Sequence, residues 1–260
     1  MDQIKLLAKW IKESKKIAFM SGAGVSTSSG IPAFRGAGGV WTEDVNREYY
    51  ISRSFYNGKP KKFWEKYKEI FQIKLAGNYE PNEGHLFIAE LEKLGKEVTV
   101  LTQNIDGLHQ KAGSTNVIEL HGTLKTATCP KCKTVYDLEY INENKIPRCS
   151  RETTKGICNF ILKPDVVLFG DAVKGYKLAE ESLEQADVFI VLGTSLEVYP
   201  VNTLPRHFVY VMNDWEENKE PKMAIINLEE TDKDEMFQAV IHADIVDTVR
   251  ELKKELNKIE

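Results

Sequence analysis

The chain has 260 residues, of which 42% are apolar and 28% charged, and its formal net charge is −4. This composition is typical of a globular protein, and the negative net charge argues against a broad electrostatic contact with nucleic acid. The sequence has no apolar run near the ~20 residues that cross a bilayer, and residues 1–16 lack the apolar core of a secretory signal. We therefore expect a soluble, cytoplasmic and monomeric protein that acts on a small molecule.

The apolar residues predict helices that alternate with short buried strands. Residues 3–15 have helical spacing, and the apolar run 17–20 leads directly into the sequence SGAGVST, which is typical of the entry to a nucleotide-binding α/β unit. Later elements are predicted as strands at 98–101, 188–192 and 223–228 and as helices at 86–94, 176–186 and 245–256. Short buried strands separated by helices favour a parallel sheet.

The glycine-rich turn can bring backbone N–H groups close to a pyrophosphate, although a plain tight turn would have the same sequence. Dehydrogenases that use such a turn also need a second strand closed by an acidic residue about 20 positions on. Glu43 and Asp44 lie at that distance, but no apolar strand precedes them. The sequence therefore lacks the usual hydride-transfer fingerprint.

Two segments interrupt the α/β pattern. Residues 36–84 are rich in aromatic side chains and contain no convincing buried strand, whereas residues 125–163 have little apolar content and contain every cysteine of the chain. These cysteines are Cys129, Cys132, Cys149 and Cys158. A tight cluster that opens with C-x-x-C is typical of a tetrahedral zinc site, and two local disulfides are the alternative.

This organisation predicts two domains. Residues 1–35, 85–124 and 164–260 are expected to form a discontinuous Rossmann-like domain that binds a nucleotide. The helical module 36–84 and the zinc module 125–163 are expected to form a smaller inserted domain, in which the metal offsets the small core.

Four stretches occur in a fixed order along the chain: GAGVSTSSGIPAFR at 22–35, TQNIDGLH at 102–109, HG at 121–122 and GTSL at 193–196. Together they resemble the sirtuins, the NAD-dependent protein deacylases, and the cysteine module lies between the third and fourth stretches. The resemblance runs from about residue 15 to about residue 230 of the sequence. It implies an α/β fold with a Rossmann-like parallel sheet, a smaller zinc-binding and helical domain, and NAD in the cleft between them.

The resemblance also implies a reaction in which the acyl group of an acyl-lysine protein or peptide is transferred to ADP-ribose and nicotinamide is released. His121 would be the general base, which suits an imidazole with an ordinary pKa near 6.5. Asn104 and Asp106 complete the implied catalytic set. From the residues alone, His121 could be structural, and Asn104 and Asp106 could form a turn that caps the next helix. Protein mono-ADP-ribosyl transfer in the same cleft is the alternative function.

Two sets of binding residues and one set of metal ligands follow from the resemblance. Expected NAD contacts are Gly22, Ala23, Gly24, Ser26, Phe34, Arg35, Gln103, Asn104, Ile105, Asp106, Gly193, Thr194, Ser195 and Asn227. Expected contacts to the acylated peptide, which would add as a strand, are Val167, Phe169, Gly170, Leu196 and Val198. Cys129, Cys132, Cys149 and Cys158 would hold one structural zinc ion.

The chain departs from the sirtuin pattern at several positions. Ala33 stands where the family usually has Asp, and Asp171 replaces a Glu. Eight residues separate Cys149 from Cys158 instead of the customary two to four, and we expect the extra residues to form a loop.

One departure bears on the acyl group. Sirtuins that remove malonyl or succinyl groups carry Tyr-x-x-Arg, whereas Tyr67 is followed three positions later by Ile70. An acidic acyl chain would therefore lack its bidentate clamp, unless Lys66 or Lys68 replaced it. We predict that the substrate carries an acetyl or another uncharged acyl group.

Overall fold

The computed structural model describes residues 2–33, 46–214 and 220–258. Its largest sheet has six strands in the order β11-β10-β9-β1-β2-β3, and every adjacent pair is parallel. These strands are β1 (Lys16–Ser21), β2 (Glu97–Thr102), β3 (Val117–Glu119), β9 (Val188–Leu192), β10 (Met223–Asn227) and β11 (Ala239–His242). The predicted parallel sheet is confirmed. Its central strands β1 and β9 are buried almost without interruption because helices cover both faces.

Two helical layers flank the sheet. On one face lie α1 (Gln3–Glu13), α5 (Glu83–Lys93) and α10 (Ile245–Lys258), and on the other lie α8 (Tyr176–Leu183) and α9 (Leu204–Asp214). The short helix α6 (Leu108–Ala112) connects β2 to β3. Helix α5 begins three residues earlier than predicted because Asn82 caps it, with its side chain accepting from the Gly84 N–H. Helix α9 and strand β11 were not predicted.

The two interrupting segments share one apolar core. Residues 46–76 form α2 (Arg47–Tyr50), α3 (Arg53–Gly58) and α4 (Pro60–Ala76), and no named strand lies in this described range. The cysteine segment contributes an antiparallel sheet ordered β5-β4-β8. Its elements are β4 (Gly122–Thr128), β5 (Val135–Asp137), α7 (Leu138–Glu143), β6 (Glu152–Thr153), β7 (Gly156–Ile157) and β8 (Lys163–Val166). The extra residues between Cys149 and Cys158 form the β6–β7 hairpin rather than an irregular loop.

The predicted division into two domains stays a prediction. Aromatic side chains of α4 pack against the cysteine segment, and the Trp64 indole N–H donates to the Leu162 carbonyl at 2.7 Å. Residues 122–124 and 164–166, which were assigned to the large domain, lie in strands β4 and β8 of the smaller sheet. Among the described helices, none has both the length and the apolar character needed to cross a membrane.

Strand order in the large sheet reverses beside β1: the chain moves outward through β2 and β3 on one side and through β9, β10 and β11 on the other. Ligands of open α/β sheets bind in the crevice at the carboxyl ends of the strands at such a switch point. Here the turn after β1 and the turn after β9 are in direct main-chain contact. Gly24 N–H donates to the Gly193 carbonyl at 2.9 Å.

No side chain fits where these two turns meet. A Cβ on Gly24 would lie 2.7 Å from the Gly193 Cα, and one on Gly193 would lie 2.5 Å from the Val25 nitrogen. Gly193 also has a φ of +59°, a left-handed conformation that L-residues adopt at a cost. Close packing of the two turns therefore requires glycine on both sides.

We expect Gly193→Ala to lower the free energy of unfolding by ~3 kcal/mol, because a methyl group there adds overlap to backbone strain. Gly95→Ala is the matched control, since Gly95 has a φ of +89° but no atom within 4 Å of the added Cβ. The control should cost only about 1 kcal/mol, the conformational part alone. Urea denaturation measures both, and equal losses would show that the contact between the turns is unimportant.

Candidate active site

A cavity of about 500 Å³ opens at the carboxyl ends of β1, β2, β9 and β10. It brings together most of the residues that the sequence singled out, from stretches of chain that are far apart. Those that line it are Gly22, Ala23, Gly24, Gln103, Asn104, Ile105, His121, Val167, Phe169, Gly170, Gly193, Thr194, Ser195, Val198 and Asn227.

Three predicted residues do not line this cavity in the part of the chain that the structure describes. Ser26 and Leu196 are buried, and Asp106 is half-buried. Phe34 and Arg35 lie outside the described residues. The predicted roles of all five stay predictions.

Several lining residues were not found from the sequence. Four of them are the apolar Ile51, Phe71, Val166 and Leu168. Two others, Asp244 and Ile245, lie at the start of α10, which follows β11. Recognising residues 239–242 as a strand would have placed the start of this helix at the same edge of the sheet.

The glycine turn at 22–24 packs against Gly193, and it also carries N–H groups at the cavity. Gly22 N–H donates to the Leu192 carbonyl at 2.9 Å, and the Gly24 N–H is occupied by Gly193. The N–H groups of Ala23 and Ser195 have no acceptor among the described residues. Both residues line the cavity, as does Thr194, whose N–H also has no acceptor among the described residues, so these N–H groups are candidate anion donors of the two turns.

The Asn104 side chain presents an oxygen to the cavity. Its amide nitrogen donates to the Gly22 carbonyl at 2.9 Å and to the Ser26 hydroxyl at 3.1 Å. No hydrogen bond of the described residues uses its Oδ1. Because the amide nitrogen is fixed by two acceptors, the orientation of the side chain is fixed as well.

Behind Asn104 lies a buried hydrogen-bonded group centred on Ser26. The Ser26 hydroxyl donates to Asp106 Oδ2 at 2.8 Å and is 3.4 Å from His85 Nε2. Asp106 Oδ1 accepts the Leu108 N–H at the start of α6, so Asp106 does form the helix-start turn that the sequence left open. His85 Nδ1 accepts the Asn82 N–H, which makes Nε2 the protonated nitrogen and the donor to Ser26.

His85 and His109 are in ring contact, with centroids 4.8 Å apart. Burial lowers the pKa of His85 to about 4 and the pKa of His109 to about 3. Both imidazoles are therefore neutral at pH 7, and the hydrogen bonds behind the cavity involve no buried cation.

His121 lines the cavity with its ring held in one tautomer. Its Nδ1 lies 3.1 Å from the Gln103 carbonyl, which can only accept, so the proton is on Nδ1 and Nε2 carries the free lone pair. Burial lowers the pKa of His121, and the Gln103 hydrogen bond opposes this effect. A neutral imidazole with a free Nε2 is a competent general base at neutral pH.

Segment 167–170 forms one side of the cavity and is tied to the helical module. Phe169 N–H donates to the Ile51 carbonyl at 3.1 Å, and Arg53 N–H donates to the Phe169 carbonyl at 2.9 Å. Val167 N–H donates to the His121 carbonyl at 2.8 Å. Within the described chain no donor reaches the Val167 carbonyl, which leaves it available to a ligand.

Both lysines that could have replaced an arginine clamp have other partners. Lys68 Nζ donates to the Ile141 and Asn144 carbonyls at the end of α7, at 2.5 and 2.8 Å. Lys66 Nζ pairs with Glu69 at 2.7 Å. Of the described residues that line the cavity, none is Lys or Arg.

The four cysteines converge within residues 125–163, and their sulfur atoms lie within 4.8 Å of one another. Cys129 and Cys158 sulfurs are 3.8 Å apart, and those of Cys132 and Cys149 are 3.4 Å apart. A disulfide needs about 2.05 Å, whereas four thiolates at ~2.3 Å from a tetrahedral zinc ion are about 3.8 Å apart. The arrangement fits the predicted zinc site and not the disulfide alternative.

Comparisons with known proteins agree with these motifs. The sequence profile of the Sir2 family matches residues 22–200. NAD-dependent protein deacetylase 2 of Geobacillus kaustophilus (strain HTA426) is 48% identical, over 98% of this chain and 99% of the relative.

Two solved Sir2 structures have a similar fold at 32% identity. One contains a deacetylated p53 peptide and 3′-O-acetyl-ADP-ribose, has a TM-score of 0.84, and the match covers 97% of this chain and 98% of that one. Another contains a p53 peptide and NAD⁺, has a TM-score of 0.80, and the match covers 99% of each chain. The profile spans more than half of the chain and the relative matches nearly all of it, so this protein belongs to the Sir2 family.

Proposed function

We propose that the protein is an NAD-dependent protein deacetylase, which transfers the acetyl group of acetyl-lysine to ADP-ribose and releases nicotinamide. The observation that carries this proposal is the free Nε2 of His121 on the same cavity as the Asn104 oxygen and the two glycine turns. Sir2 relatives that bear the deacetylase name support it.

NAD would lie across the carboxyl ends of the central strands. The Ala23 and Ser195 N–H groups would receive the pyrophosphate, and Asn227 would contact the adenosine ribose. The Asn104 oxygen would face the reacting ribose. Gln103, whose amide is held by Thr194 at 3.0 Å, would contact the same region.

His121 would take a proton from a ribose hydroxyl after nicotinamide has left, through Nε2. Its Nδ1–H is committed to the Gln103 carbonyl, so protonation at Nε2 gives an imidazolium that remains hydrogen-bonded on its other side. As nicotinamide leaves, the amide oxygen of the acetyl-lysine would bond to C1′ of the ribose and give an imidate. The hydroxyl oxygen would then attack the imidate carbon, and addition of one water to that carbon would break its bond to nitrogen and release free lysine and O-acetyl-ADP-ribose.

The acylated peptide would add as an extended strand between segment 167–170 and residues 196–198. The available Val167 carbonyl would accept the hydrogen of the lysine amide. The same cavity is also lined by the apolar side chains of Ile51, Phe71 and Leu168, which suit an acyl chain. ADP-ribosyl transfer to protein has no use for such an apolar lining, which favours deacylation over that alternative.

The acyl group should be uncharged. A carboxylate beside these apolar side chains would be desolvated without a cationic partner among the described residues, because Lys68 is occupied by α7 and Lys66 by Glu69. Tyr67 is fully buried and does not line the cavity within the described residues.

Cys129, Cys132, Cys149 and Cys158 would hold one zinc ion. With four thiolates the coordination shell is closed, so the ion supplies structural stability and takes no part in catalysis. It would connect the turn after β4 to the two ends of the β6–β7 hairpin.

We expect His121→Ala to lower kcat/KM for deacetylation by ~10³, because the proton acceptor is lost. Exchange of labelled nicotinamide into NAD should persist, since that step needs no base at Nε2. His207→Ala, on α9 and away from the cavity lining, is the control and should keep full activity. Mass spectrometry must find O-acetyl-ADP-ribose; ADP-ribose on protein instead would support the alternative function.

Acyl preference can be separated into size and charge with two peptides. Succinyl-lysine and butyryl-lysine chains have the same number of carbons, and we expect the succinyl peptide to be cleaved ~100-fold less efficiently, because its carboxylate is unpaired. Acetyl-lysine is the reference substrate. Steady-state kcat/KM values decide, and equal rates for the two longer chains would contradict the predicted charge exclusion.

Purified protein should contain about one zinc ion per chain, and Cys149→Ser should remove most of it and lower Tm. Tyr136→Phe is the matched control in the same module, because it removes a 3.3 Å hydrogen bond to the Cys149 sulfur but keeps all four thiols. Metal analysis and thermal unfolding measure both variants. Full zinc retention in Cys149→Ser would rule out the four-cysteine site.

A further inference from the structure

The loop 194–203 also lines the cavity, through residues 194–195 and 197–200, and its shape is unusual. Leu196 has a φ of +55°, a left-handed conformation that non-glycine residues seldom adopt, and its side chain is buried. Such a conformation persists only where surrounding contacts hold it. The contacts that hold this loop therefore determine the main chain against which a peptide would pair.

Contacts within the loop fix only part of it. Thr194 Oγ1 accepts the Leu196 N–H at 3.2 Å. Asn202 donates from its main chain to the Val198 carbonyl at 2.9 Å and from its side chain to the Glu197 carbonyl at 3.2 Å. These bonds leave the Leu196 and Asn202 carbonyls to be satisfied from elsewhere.

Lys233 satisfies both carbonyls. Its Nζ donates to the Leu196 carbonyl at 2.9 Å and to the Asn202 carbonyl at 3.0 Å. The lysine belongs to the segment between β10 and β11, so the ammonium connects that segment to the loop at two points, one at the start of the peptide-facing residues 196–198 and one four residues beyond them. Hydrogen bonds from a charged donor are stronger than those between neutral groups. The ammonium itself does not line the cavity within the described residues.

We propose that Lys233 is a positioning residue for peptide binding: its ammonium bridges the Leu196 and Asn202 carbonyls and so holds residues 196–198 in the shape that receives the substrate strand. This inference rests on the proposed deacetylase function. Lys233 itself would touch neither the peptide nor NAD. Residues 193–195, which would face NAD, have anchors of their own in the packing of Gly193 on Gly24 and in the Gln103 amide on Thr194. Loss of the Lys233 bridge should therefore affect peptide binding much more than NAD binding.

The test is Lys233→Met, which keeps the apolar stem and removes the donor. We expect KM for an acetyl-lysine peptide to rise about tenfold while KM for NAD changes less than about twofold. Lys233→Arg should restore a peptide KM near the wild-type value, because guanidinium can also donate to two carbonyls. Should Lys233→Met fail to fold, Lys233→Gln replaces it: the Gln amide is neutral and its stem is too short to bridge both carbonyls, so the peptide KM should again rise while the KM for NAD stays within about twofold.

Lys96→Met is the matched control. Lys96 Nζ also donates to two main-chain carbonyls, those of Lys12 and Ser14 at 2.7 and 2.6 Å, but at the end of α1. This variant should lose a similar amount of thermal stability and keep the wild-type peptide KM.

A peptide KM within about twofold of wild type in Lys233→Met would overturn the inference. It would also fail if Lys96→Met raised the peptide KM equally, or if KM for NAD rose as much as KM for the peptide. An inactive wild-type protein would instead refute the proposed function, and a peptide affinity measured by calorimetry would then still test the role of Lys233.

Discussion

The direct approach of two main-chain turns, with no side chain between them, is the constraint on which the site depends. Gly24 and Gly193 meet where strand order reverses, and their contact fixes how the ends of β1 and β9 lie relative to each other. The glycines that the sequence attributed to phosphate binding are thus needed first for packing. Phosphate binding would use N–H groups that this packing leaves free, those of Ala23 and Ser195.

Hydrogen-bond direction does at the site what charge does in many enzymes. His121 and His85 each have Nδ1 hydrogen-bonded to the main chain, and this bond fixes the tautomer of the ring. The Nε2 of His121 is therefore a free acceptor, and the Nε2 of His85 is a donor. The amide of Asn104 is held by two acceptors and exposes its oxygen. Because burial keeps the histidines neutral, these orientations persist around neutral pH without ion pairs.

Strong local patterns could be read from the sequence, and contacts between distant segments could not. Strands β1 and β9 are continuous apolar runs, so they were found; β11 has the sequence Ala-Val-Ile-His, and three apolar residues in a row do not distinguish a strand from a loop. The ordered motifs located His121 and the glycine turns on one cavity. Ser26 and Asp106 belong to the same motifs, yet they lie behind Asn104 and not on the cavity. Lys68 donates to a carbonyl of α7 that is 73 residues away along the chain. No periodicity encodes such pairings.

The hydrogen bond from the Trp64 indole to the Leu162 carbonyl joins residues 98 positions apart, and the strands β2 and β3 lie between them along the chain. Loop-closure entropy makes such a long-range contact slow to form. The core shared by the helical segment and the cysteine segment therefore cannot be completed in the order in which the chain is synthesised. The aromatic side chains of α4 stay uncovered until the cysteine segment has been made, and exposed apolar surface of this kind makes a nascent polypeptide prone to aggregation.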